Sequence, residues 1–379
     1  MVTIKRVQDK RDLNRFIDFP YRLYSGDGNY VPELRIMQKE TLNKKKNPFF
    51  KHADADYFIA LNDAGEVVGR IGAITNQVYV DHWKENYGFF GFFETVNDKE
   101  VVKALFDTAI DWLKNKGVDG FYGPMNPSTN DTCGTLIEGF DTPPYLMMVH
   151  NKEYYDDLLR HYGLTKKMDL ISWELFEEKI PERMITLSEK IEERLKKQGI
   201  IFRQADFKNM KEEAPKLRHI YNKAWEKNWG FMPMTEEEFD ALAGELKMIT
   251  SPELVYIVED KGEPVAFAAS LPNVNEIFIN FRNGRLFPVN FLKMIRFKKK
   301  VKSMRVLTLG IIEGYRKTGI DACLYVKTTK GGAKLGYHRG EASWILETNG
   351  PMNRALENMN GVPYKKYRIY QYHFKNNKI

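Results

Sequence analysis

The chain has 379 residues, of which 43% are apolar and 13% aromatic, and its formal net charge at pH 7 is +7. This length and composition exclude a largely disordered protein and leave room for two buried cores. The two isolated cysteines, Cys133 and Cys323, exclude a disulfide framework, so we expect reduced thiols and a cytoplasmic location.

The basic balance favours anionic partners such as a phosphorylated cofactor. Zinc-ligand spacing, a basic leucine zipper and RNA-recognition motifs are missing from the sequence, which argues against dedicated nucleic-acid binding and against a metal site. The N-terminus alternates like a strand, and no apolar run approaches the roughly 18 residues of a membrane span. The oligomeric state is left open.

The first half of the chain alternates between strand-like and helix-like patterns. Period-two alternation predicts strands, and amphipathic stretches predict helices between them. A helix over Lys99–Lys116 leads into a short strand at Asp119–Gly123. The earlier strands are predicted near 2–7, 55–61, 66–80 and 87–94, and the earlier helices at about 9–18 and 33–42.

A long loop follows this short strand, at about residues 124–147. Its Pro, Gly, Asn and Asp content is typical of an ordered loop, and loops of this length are frequently functional. We interpret it as a candidate substrate-binding loop; the alternative is a loop whose polar groups satisfy one another and which seals the contact between the domains. Cys133, which lacks a His or Asp partner pattern, is interpreted as a structural thiol. The candidate substrate-binding residues are Asn126, Ser128, Asn130, Asp131 and Asp141.

An internal repeat relates the two halves. Asn151 lies twelve positions before Gly163, Asn349 lies twelve before Gly361, and the two pairs are 198 residues apart. A helix-like stretch separates each Asn from its Gly, and a strand-like segment follows each Gly. The second half repeats the element order of the first, with strands predicted near 200–205, 254–259, 264–271 and 304–312 and helices at about 209–228 and 235–247.

A charged helix over Ile180–Gln198 is predicted between the halves, since it begins with Pro181 and ends before Gly199. We therefore predict a first domain at 1–178, a linker helix at 179–199 and a second domain at 200–379.

A basic run, Arg296–Lys302, follows an apolar stretch in the second half. Such a run is typical of a solvated helix face, and the alternative is a surface that docks on a membrane, an acidic protein or RNA.

The sharpest local pattern is a buried strand that turns directly into a helix, over Val306–Tyr325. The backbone N–H groups at such a helix start have no intrahelical acceptor, and the helix dipole favours an anion. Gly319 permits close approach of the backbone, and Arg316 and Lys317 add positive charge. The pattern predicts a pyrophosphate site, the alternative being an ordinary strand–turn–helix corner.

At this point the chain resembles the GNAT family of acyl-CoA-dependent N-acyltransferases, whose signature is Gln/Arg-x-x-Gly-x-Gly/Ala. Arg316–Asp321 matches the first two anchors and departs at the third, where Asp321 replaces a small residue. Ser343–Asn349 is similar to the family's fifth strand and ends in the Asn that helps to hold pantetheine; a plain helix N-cap is the alternative for Asn349. The family's usual Tyr acid is replaced by Leu356. The first half has no glycine in the corresponding loop.

The resemblance implies a mixed α/β (α+β) fold of two tandem GNAT-like domains, each a twisted, mostly antiparallel sheet flanked by helices. It implies an acyl-CoA-dependent N-acyltransferase that uses acetyl-CoA or another acyl-CoA and a small-molecule amine. Two alternatives stay open, a Fem-type aminoacyl-tRNA-dependent transferase and a non-catalytic binding or sensing protein with decayed sites. The candidate catalytic residues are Glu313, Glu347 and Tyr367, with Tyr364 or water as other possible acids. The candidate cofactor-binding residues are Gly310, Ile311, Ile312, Arg316, Lys317, Thr318, Gly319, Ile320, Asp321 and Asn349.

Overall fold

A computed structural model describes residues 1–286, 289–297 and 300–374 of the chain. The protein is a mixed α/β fold of β-sheet flanked by helices, which confirms the predicted fold class. The chain divides into two compact units. The first unit comprises Met1–Leu170, Asn275–Phe297 and Lys365–Ile379, and the second comprises Ile171–Val274 and Lys298–Tyr364. The predicted limits at 178 and 200 follow the linear repeat instead and stay a prediction.

The elements are numbered in chain order over the described residues. The strands are Thr3–Arg6 (β1), Ala53–Leu61 (β2), Val67–Asn76 (β3), Tyr87–Thr95 (β4), Gly120–Gly123 (β5), Met125–Asn126 (β6), Thr132–Cys133 (β7), Thr135–Glu138 (β8), Thr165–Phe176 (β9), Ile200–Gln204 (β10), Val255–Asp260 (β11), Glu263–Pro272 (β12), Ser303–Ile311 (β13), Arg339–Leu346 (β14) and Val362–His373 (β15).

The α-helices are Lys10–Leu23 (α1), Arg35–Thr41 (α2), Gln77–Trp83 (α3), Lys99–Asn115 (α4), Tyr155–Tyr162 (α5), Glu182–Lys197 (α6), Met210–Ala224 (α7), Glu236–Lys247 (α8), Asn275–Phe278 (α9), Val289–Phe297 (α10), Ile320–Lys334 (α11) and Gly350–Asn358 (α12). Short 3₁₀ turns lie at Pro48–Lys51, Glu177–Lys179, Pro252–Leu254 and Glu313–Tyr315. None of the helices within the described ranges has the length and apolar character needed to cross a membrane.

The first unit has the strand order β1-β2-β3-β4-β5-β15. Its neighbouring strands are antiparallel, except that β4 and β5 are parallel. Helix α4 packs its apolar face on this sheet, and Phe90, Phe106 and Phe121 are fully buried there with edge-to-face and stacked ring contacts. Aromatic burial of this extent accounts for a well-defined core.

The second unit has the strand order β9-β14-β13-β12-β11-β10. Strands β10 to β13 are antiparallel to their neighbours, whereas β13 and β14 are parallel. Helix α7 covers one part of the sheet through Leu217 and Ile220, and helices α6 and α11 pack on another through Leu195, Ile320 and Leu324. Each unit thus repeats the same arrangement of an antiparallel meander followed by one parallel pair.

The last strand of each unit comes from an unexpected part of the chain. The C-terminal part of β15 pairs with β5 in the first unit, in the register Tyr370↔Gly123 to His373↔Gly120. The second unit in turn contains the end of β9, from Ile171 onward. A linear repeat would have kept each of these strands with its own half.

One strand and one helix depart from their predicted bounds for local reasons. The strand predicted at 66–80 stops at Asn76, whose side-chain oxygen accepts the Tyr79 N–H (3.3 Å) and starts α3. The helix predicted at 9–18 continues to Leu23 through Pro20. Proline has no N–H for the carbonyl of Phe16, and Arg70 donates to that carbonyl instead (3.0 Å).

Candidate active site

In the second unit the parallel strands β13 and β14 separate part-way along their length. Their pairing runs from Ser303↔Arg339 to Val306↔Ala342 and ends there. Strand β13 stays paired with β12 as far as Ile311, but the register shifts by one residue at Leu307. This β-bulge bends β13 away from β14, because the extra residue increases the local twist. The result is a gap between two neighbouring strands, called here the second-unit gap.

Backbone N–H groups of β13 line this gap. Ile312 donates its N–H to Val265 on β12 (3.0 Å), and successive N–H groups of a strand point to opposite sides. The N–H groups of Leu309 and Ile311 therefore point away from β12, into the gap. Of the three residues predicted to supply the backbone donors, only Ile311 faces the gap. Gly310 and Ile312 direct their N–H groups to β12, and Leu309 was not singled out by the sequence pattern.

Gly310 has a packing role instead. A Cβ atom at this position would lie 2.2 Å from the ring of Trp225, so no larger residue fits without displacing that ring. Trp225 ends helix α7 and contacts Tyr221 and Phe267 through its ring. These aromatic residues form an apolar wall against β13, beside the second-unit gap.

The predicted pyrophosphate loop follows β13 directly. Arg316, although exposed, donates from its guanidinium to the carbonyl of Ala224 (2.7 Å) and to that of Ile311 (3.3 Å). Thr318 donates from its hydroxyl to the carbonyl of Tyr315 (2.7 Å). These bonds fix the loop to the end of α7 and to its own turn. Arg316, which was predicted to add positive charge for a pyrophosphate, thus holds the loop in place through backbone carbonyls.

The loop ends at Gly319, which has φ +95° and precedes helix α11. Its Cα faces Ile191 of α6, whose side chain would lie 2.9 Å from a Cβ atom. Glycine is therefore required here by backbone conformation and by packing. No hydrogen-bond acceptor for the N–H groups of residues 317–321 lies among the described residues. Ile320 is fully buried, whereas the exposed Lys317 and the half-buried Asp321 are the charged side chains at this helix start.

The predicted acids and bases lie in different surroundings. Glu313 is exposed and pairs with Lys227 (2.7 Å), which holds the pKa of its carboxyl below the usual value. Glu347 is also exposed, at the end of β14. Tyr367 is fully buried and belongs to the first unit, where it pairs with Leu136 of β8. The structure therefore does not bring these three into one cluster within a unit.

Asn349 caps helix α12 by accepting the N–H of Met352 (3.2 Å). This is the N-cap role that was the alternative for this residue. Leu356, at the position of the family's usual Tyr acid, is buried on the same helix. In the first half Asn151 bonds instead to the backbone of Leu136, so the repeated Asn has two different local roles.

A buried polar cluster that the sequence pattern did not identify lies near the closed end of the second-unit gap. Glu341 is fully buried and accepts hydrogen bonds from the hydroxyls of Ser343 (2.5 Å) and Tyr364. Arg305, which is opposite Glu341 in the β13–β14 register, donates to the Ser343 hydroxyl (2.8 Å). The register pair Arg305↔Glu341 lies one residue before the last paired residues of the two strands. The cluster thus places a carboxylate, a phenol and a guanidinium together where the strands begin to separate.

The first unit has an equivalent gap, but its own loop fills it. Strands β4 and β5 pair only from Tyr87↔Gly120 to Phe89↔Tyr122. Beyond this point Asn126 of the long loop accepts the Phe92 N–H through its side-chain oxygen (2.5 Å). A Cβ atom on Gly91 would lie 1.7 Å from the carbonyl oxygen of Met125, so the loop packs directly on β4. Asn126 therefore occupies the side of β4 beyond the last residues that pair with β5.

Replacing Asn126 by alanine is expected to destabilise the protein by about 1–2 kcal/mol, because a part-buried N–H loses its acceptor. Chemical denaturation of the full chain measures this change. Thr132→Val is the matched control, since it removes only the second bond of Asn126, from Nδ2 to the Thr132 hydroxyl (3.2 Å). A loss no larger for Asn126→Ala than for Thr132→Val would contradict the plugging role.

The other predicted substrate-binding residues of the long loop do not share the contacts of Asn126. Ser128 is buried and donates to Asp131 (2.7 Å) and accepts the Asn130 N–H (3.1 Å), forming a local turn. Asp141 is exposed, beside a stretch whose carbonyls at Gly139 and Thr142 accept from the buried Lys365. The basic run Arg296–Lys302 includes positions 298 and 299, which lie outside the described residues.

No protein-family model matches the chain. Two curated proteins match it over nearly the whole length. Protein YghO of Escherichia coli (strain K12) is 35% identical over 374 residues, which are 97% of this chain and 94% of that protein. The bacterial ceramide synthase of Caulobacter vibrioides (strain NA1000 / CB15N) is 35% identical over 373 residues, which are 96% of each chain. The chain belongs to the family of these two bacterial proteins.

The fold of this family member is shared with solved tandem acyltransferases. A tandem GNAT protein from the clavulanic acid biosynthesis pathway superposes with a TM-score of 0.57 over 98% of each chain, at 8% sequence identity. A GCN5-related N-acetyltransferase from Sphaerobacter thermophilus gives a TM-score of 0.52 over 98% of this chain and 95% of that one. The resemblance to tandem GNAT proteins predicted from the sequence is thereby confirmed at the level of fold.

Proposed function

We propose that the protein is an N-acyltransferase that moves a fatty acyl group from an acyl-CoA to a primary amine. The observation that carries this proposal is the second-unit gap, in which the pairing of β13 with β14 ends and the N–H groups of Leu309 and Ile311 point away from β12. A thioester carbonyl is the acceptor that such donors suit, and donors fixed by a sheet need no reorganisation during reaction. The N–H groups at the start of α11 would hold the diphosphate of the same acyl-CoA.

The proposed acyl group is a fatty chain rather than acetyl. Trp225, Tyr221 and Phe267 place an apolar wall against β13, beside the gap. The buried Met232 and Met234 lie in the segment that follows α7, and methionine adapts well to flexible chains. The name of the Caulobacter vibrioides relative supports the same direction, since a ceramide is the amide of a fatty acid and a long-chain amino alcohol.

The chemistry follows from the acceptor's nitrogen. A neutral amine attacks the thioester carbonyl, and the N–H groups of Leu309 and Ile311 stabilise the resulting oxyanion. The C–S bond then breaks, CoA leaves as a thiolate that takes up one proton, and the amine nitrogen loses one. The products are an amide and free CoA thiol.

Tyr364 and Glu341 are the proposed proton-transfer pair. Tyr364 is half-buried and donates its hydroxyl to the fully buried Glu341, and this pair lies near the start of the gap. The earlier candidates are less suited: the lowered pKa of Glu313 makes it a weaker base, and Tyr367 is fully buried.

Tyr364→Phe is expected to lower the rate of acyl transfer by roughly 100-fold, because general acid–base groups typically contribute that much. The rate of CoA thiol release in the presence of amine measures it. Tyr315→Phe, which removes a hydroxyl bonded to Asp260 (2.7 Å), is the matched control and should keep nearly full activity. Full activity of Tyr364→Phe would remove this pair from the proposal.

The proposed reaction is tested by incubating the purified chain with palmitoyl-CoA and sphinganine and measuring the N-acyl product by mass spectrometry. We expect amide and free CoA in equal amounts. A second arm replaces palmitoyl-CoA by acetyl-CoA and should give much less product. Release of CoA without amide for every amine tried would contradict the transferase proposal.

A further inference from the structure

Helix α6 lies in the second unit and packs on α11, the helix into which the predicted pyrophosphate loop (Arg316–Asp321) runs. Apolar side chains of the two helices belong to one hydrophobic cluster, and two ion pairs join the helices at the surface. The cluster includes Ile191, Leu195, Ile320 and Leu324, and the ion pairs are Lys327–Glu192 and Lys330–Glu189 (both 2.8 Å). The apolar burial contributes most of the attachment, because exposed ion pairs add little. Helix α6 is thus a fixed neighbour of the loop.

One side chain of α6 reaches this loop. Arg194, in the last turn of α6, donates from its guanidinium to the carbonyl of Thr318 (2.7 Å). Arg316 holds the same loop to the carbonyls of Ala224 and Ile311. Two guanidinium groups therefore fix the loop through backbone carbonyls, one from α6 and one from the loop itself.

The bond from Arg194 determines the direction in which the Gly319 N–H points. The Thr318 carbonyl and the Gly319 N–H belong to one trans peptide unit, in which they point in opposite directions. Since the carbonyl points toward Arg194 on α6, the Gly319 N–H points away from α6. This N–H has no hydrogen-bond acceptor among the residues that the structure describes. An anion on the side away from α6 would satisfy it.

Glycine makes this direction reversible. Gly319 has φ +95°. A half-turn of the Thr318–Gly319 peptide plane would change that φ to about −85°, which glycine adopts equally well. The N–H would then point toward α6, where Ile191 lies against Gly319. The Arg194 bond thus selects one of two peptide orientations that the glycine backbone permits.

We propose that Arg194 is a positioning residue for the diphosphate of the acyl donor. By holding the Thr318 carbonyl, it keeps the Gly319 N–H turned toward the ligand before the ligand binds. A donor that is oriented in advance strengthens binding, because less ordering is needed when the complex forms. Arg194 lies on the α6 side of the peptide, so it acts through this peptide unit. The inference rests on the proposed function, whose acyl-CoA supplies the diphosphate.

The test is calorimetric titration of the full chain with S-octyl-CoA, a non-reactive thioether. Arg194→Met removes the guanidinium donors and should bind about tenfold more weakly, the effect of one well-placed hydrogen bond to a charged group. Arg194→Lys keeps a donor and should recover most of the affinity. The parent and Arg194→Met should bind S-octylpantetheine, which lacks the diphosphate, equally. The ratio of the two S-octyl-CoA affinities should persist in about 0.5 M NaCl, where exposed charges are screened.

Lys330→Met is the matched control, because Lys330 is exposed and bonds α11 to α6 ten positions after Ile320, where α11 begins. It should keep the affinity for S-octyl-CoA within about twofold. Thermal unfolding checks that both variants fold. In the acyl-transfer assay Arg194→Met should raise the KM for acyl-CoA about tenfold and leave kcat nearly unchanged, since the diphosphate and the thioester lie at opposite ends of the pantetheine arm.

Equal binding of S-octyl-CoA by Arg194→Met and the parent would overturn the inference and leave the proposed function standing. Equal weakening by Lys330→Met would also overturn it, because it would show a general loss of α6 packing. A loss that disappears at high salt would do the same, in favour of a plain charge effect. No binding of S-octyl-CoA by the parent would contradict the proposed function together with the inference, so the two failures are distinguishable.

Discussion

Lys317→Glu is expected to weaken acyl-CoA binding about 30-fold. The substitution changes the charge at the start of α11 by two, and each charge near a diphosphate at a solvent-exposed site contributes on the order of 1 kcal/mol. Lys317 is exposed and has φ +65°, so its side chain is not part of the packing that fixes the loop. Calorimetric titration at low and high salt measures the loss, which should shrink as salt screens the charges.

Two companion variants make this prediction specific. Asp321→Asn removes the negative charge that departs from the family motif, so it should tighten acyl-CoA binding several-fold. Lys334→Glu makes the same charge change as Lys317→Glu at the far end of the same helix and should leave the affinity within about twofold. Equal weakening by Lys317→Glu and Lys334→Glu would show a general charge effect instead of a diphosphate at the helix start. Gly319→Trp is a poor test of acyl-CoA binding because its side chain would also clash with that of Ile191.

Leu309→Pro is expected to lower the rate of acyl transfer by roughly 100-fold or more. Proline has no N–H, and the loss of one oxyanion donor typically has an effect of this size. Because the Leu309 N–H points away from β12, its removal leaves the β12–β13 ladder intact. The single-turnover rate of CoA release with bound acyl-CoA measures the chemical step separately from binding.

Leu309→Ala is the control for this variant, since it removes the side chain and keeps the N–H. We expect its rate to fall less than tenfold. Thr308→Pro provides the opposite case, because its N–H faces β12 and its loss should destabilise the sheet. If Leu309→Pro transferred the acyl group as fast as Leu309→Ala, the second-unit gap would not be the oxyanion site.

Much of the fold follows from local pattern. Each predicted element is formed by residues that are close together in the sequence, so periodicity and capping residues define it. This holds for the alternating strands of both halves, the amphipathic helices and the strand–turn–helix over Val306–Tyr325. The element order was also a basis for the predicted resemblance to tandem GNAT proteins. Solved structures confirm this resemblance at the level of fold. These features depend on residues within about 20 positions of one another.

The exchange of strands between the halves could not be predicted in this way. The pairing of β15 with β5 joins Tyr370 to Gly123, and the repeat of Asn151 and Asn349 gives no information on such distant partners. This pairing joins segments that are far apart in the sequence, so it depends on tertiary packing and not on local pattern.

The candidate site was predicted in outline but not in detail. The loop at Arg316–Asp321 has a local signature, whereas the choice of Leu309 over Gly310 depends on a bulge at Leu307 that one sequence does not reveal. The pairing of Tyr364 with Glu341 arises from a contact between two different elements of the second unit. Asn126 was predicted to bind substrate, which stays a prediction, and its side-chain oxygen accepts the backbone N–H of Phe92.

The number of acyl-CoA sites per chain tests the central claim most directly. The account predicts that a non-reactive thioether analogue of an acyl-CoA binds once per chain in a calorimetric titration, since the second-unit gap is open and Asn126 fills the gap of the first unit. Lys317→Glu should weaken that single site. Two sites per chain, no site, or one site that Lys317→Glu leaves unchanged would contradict it.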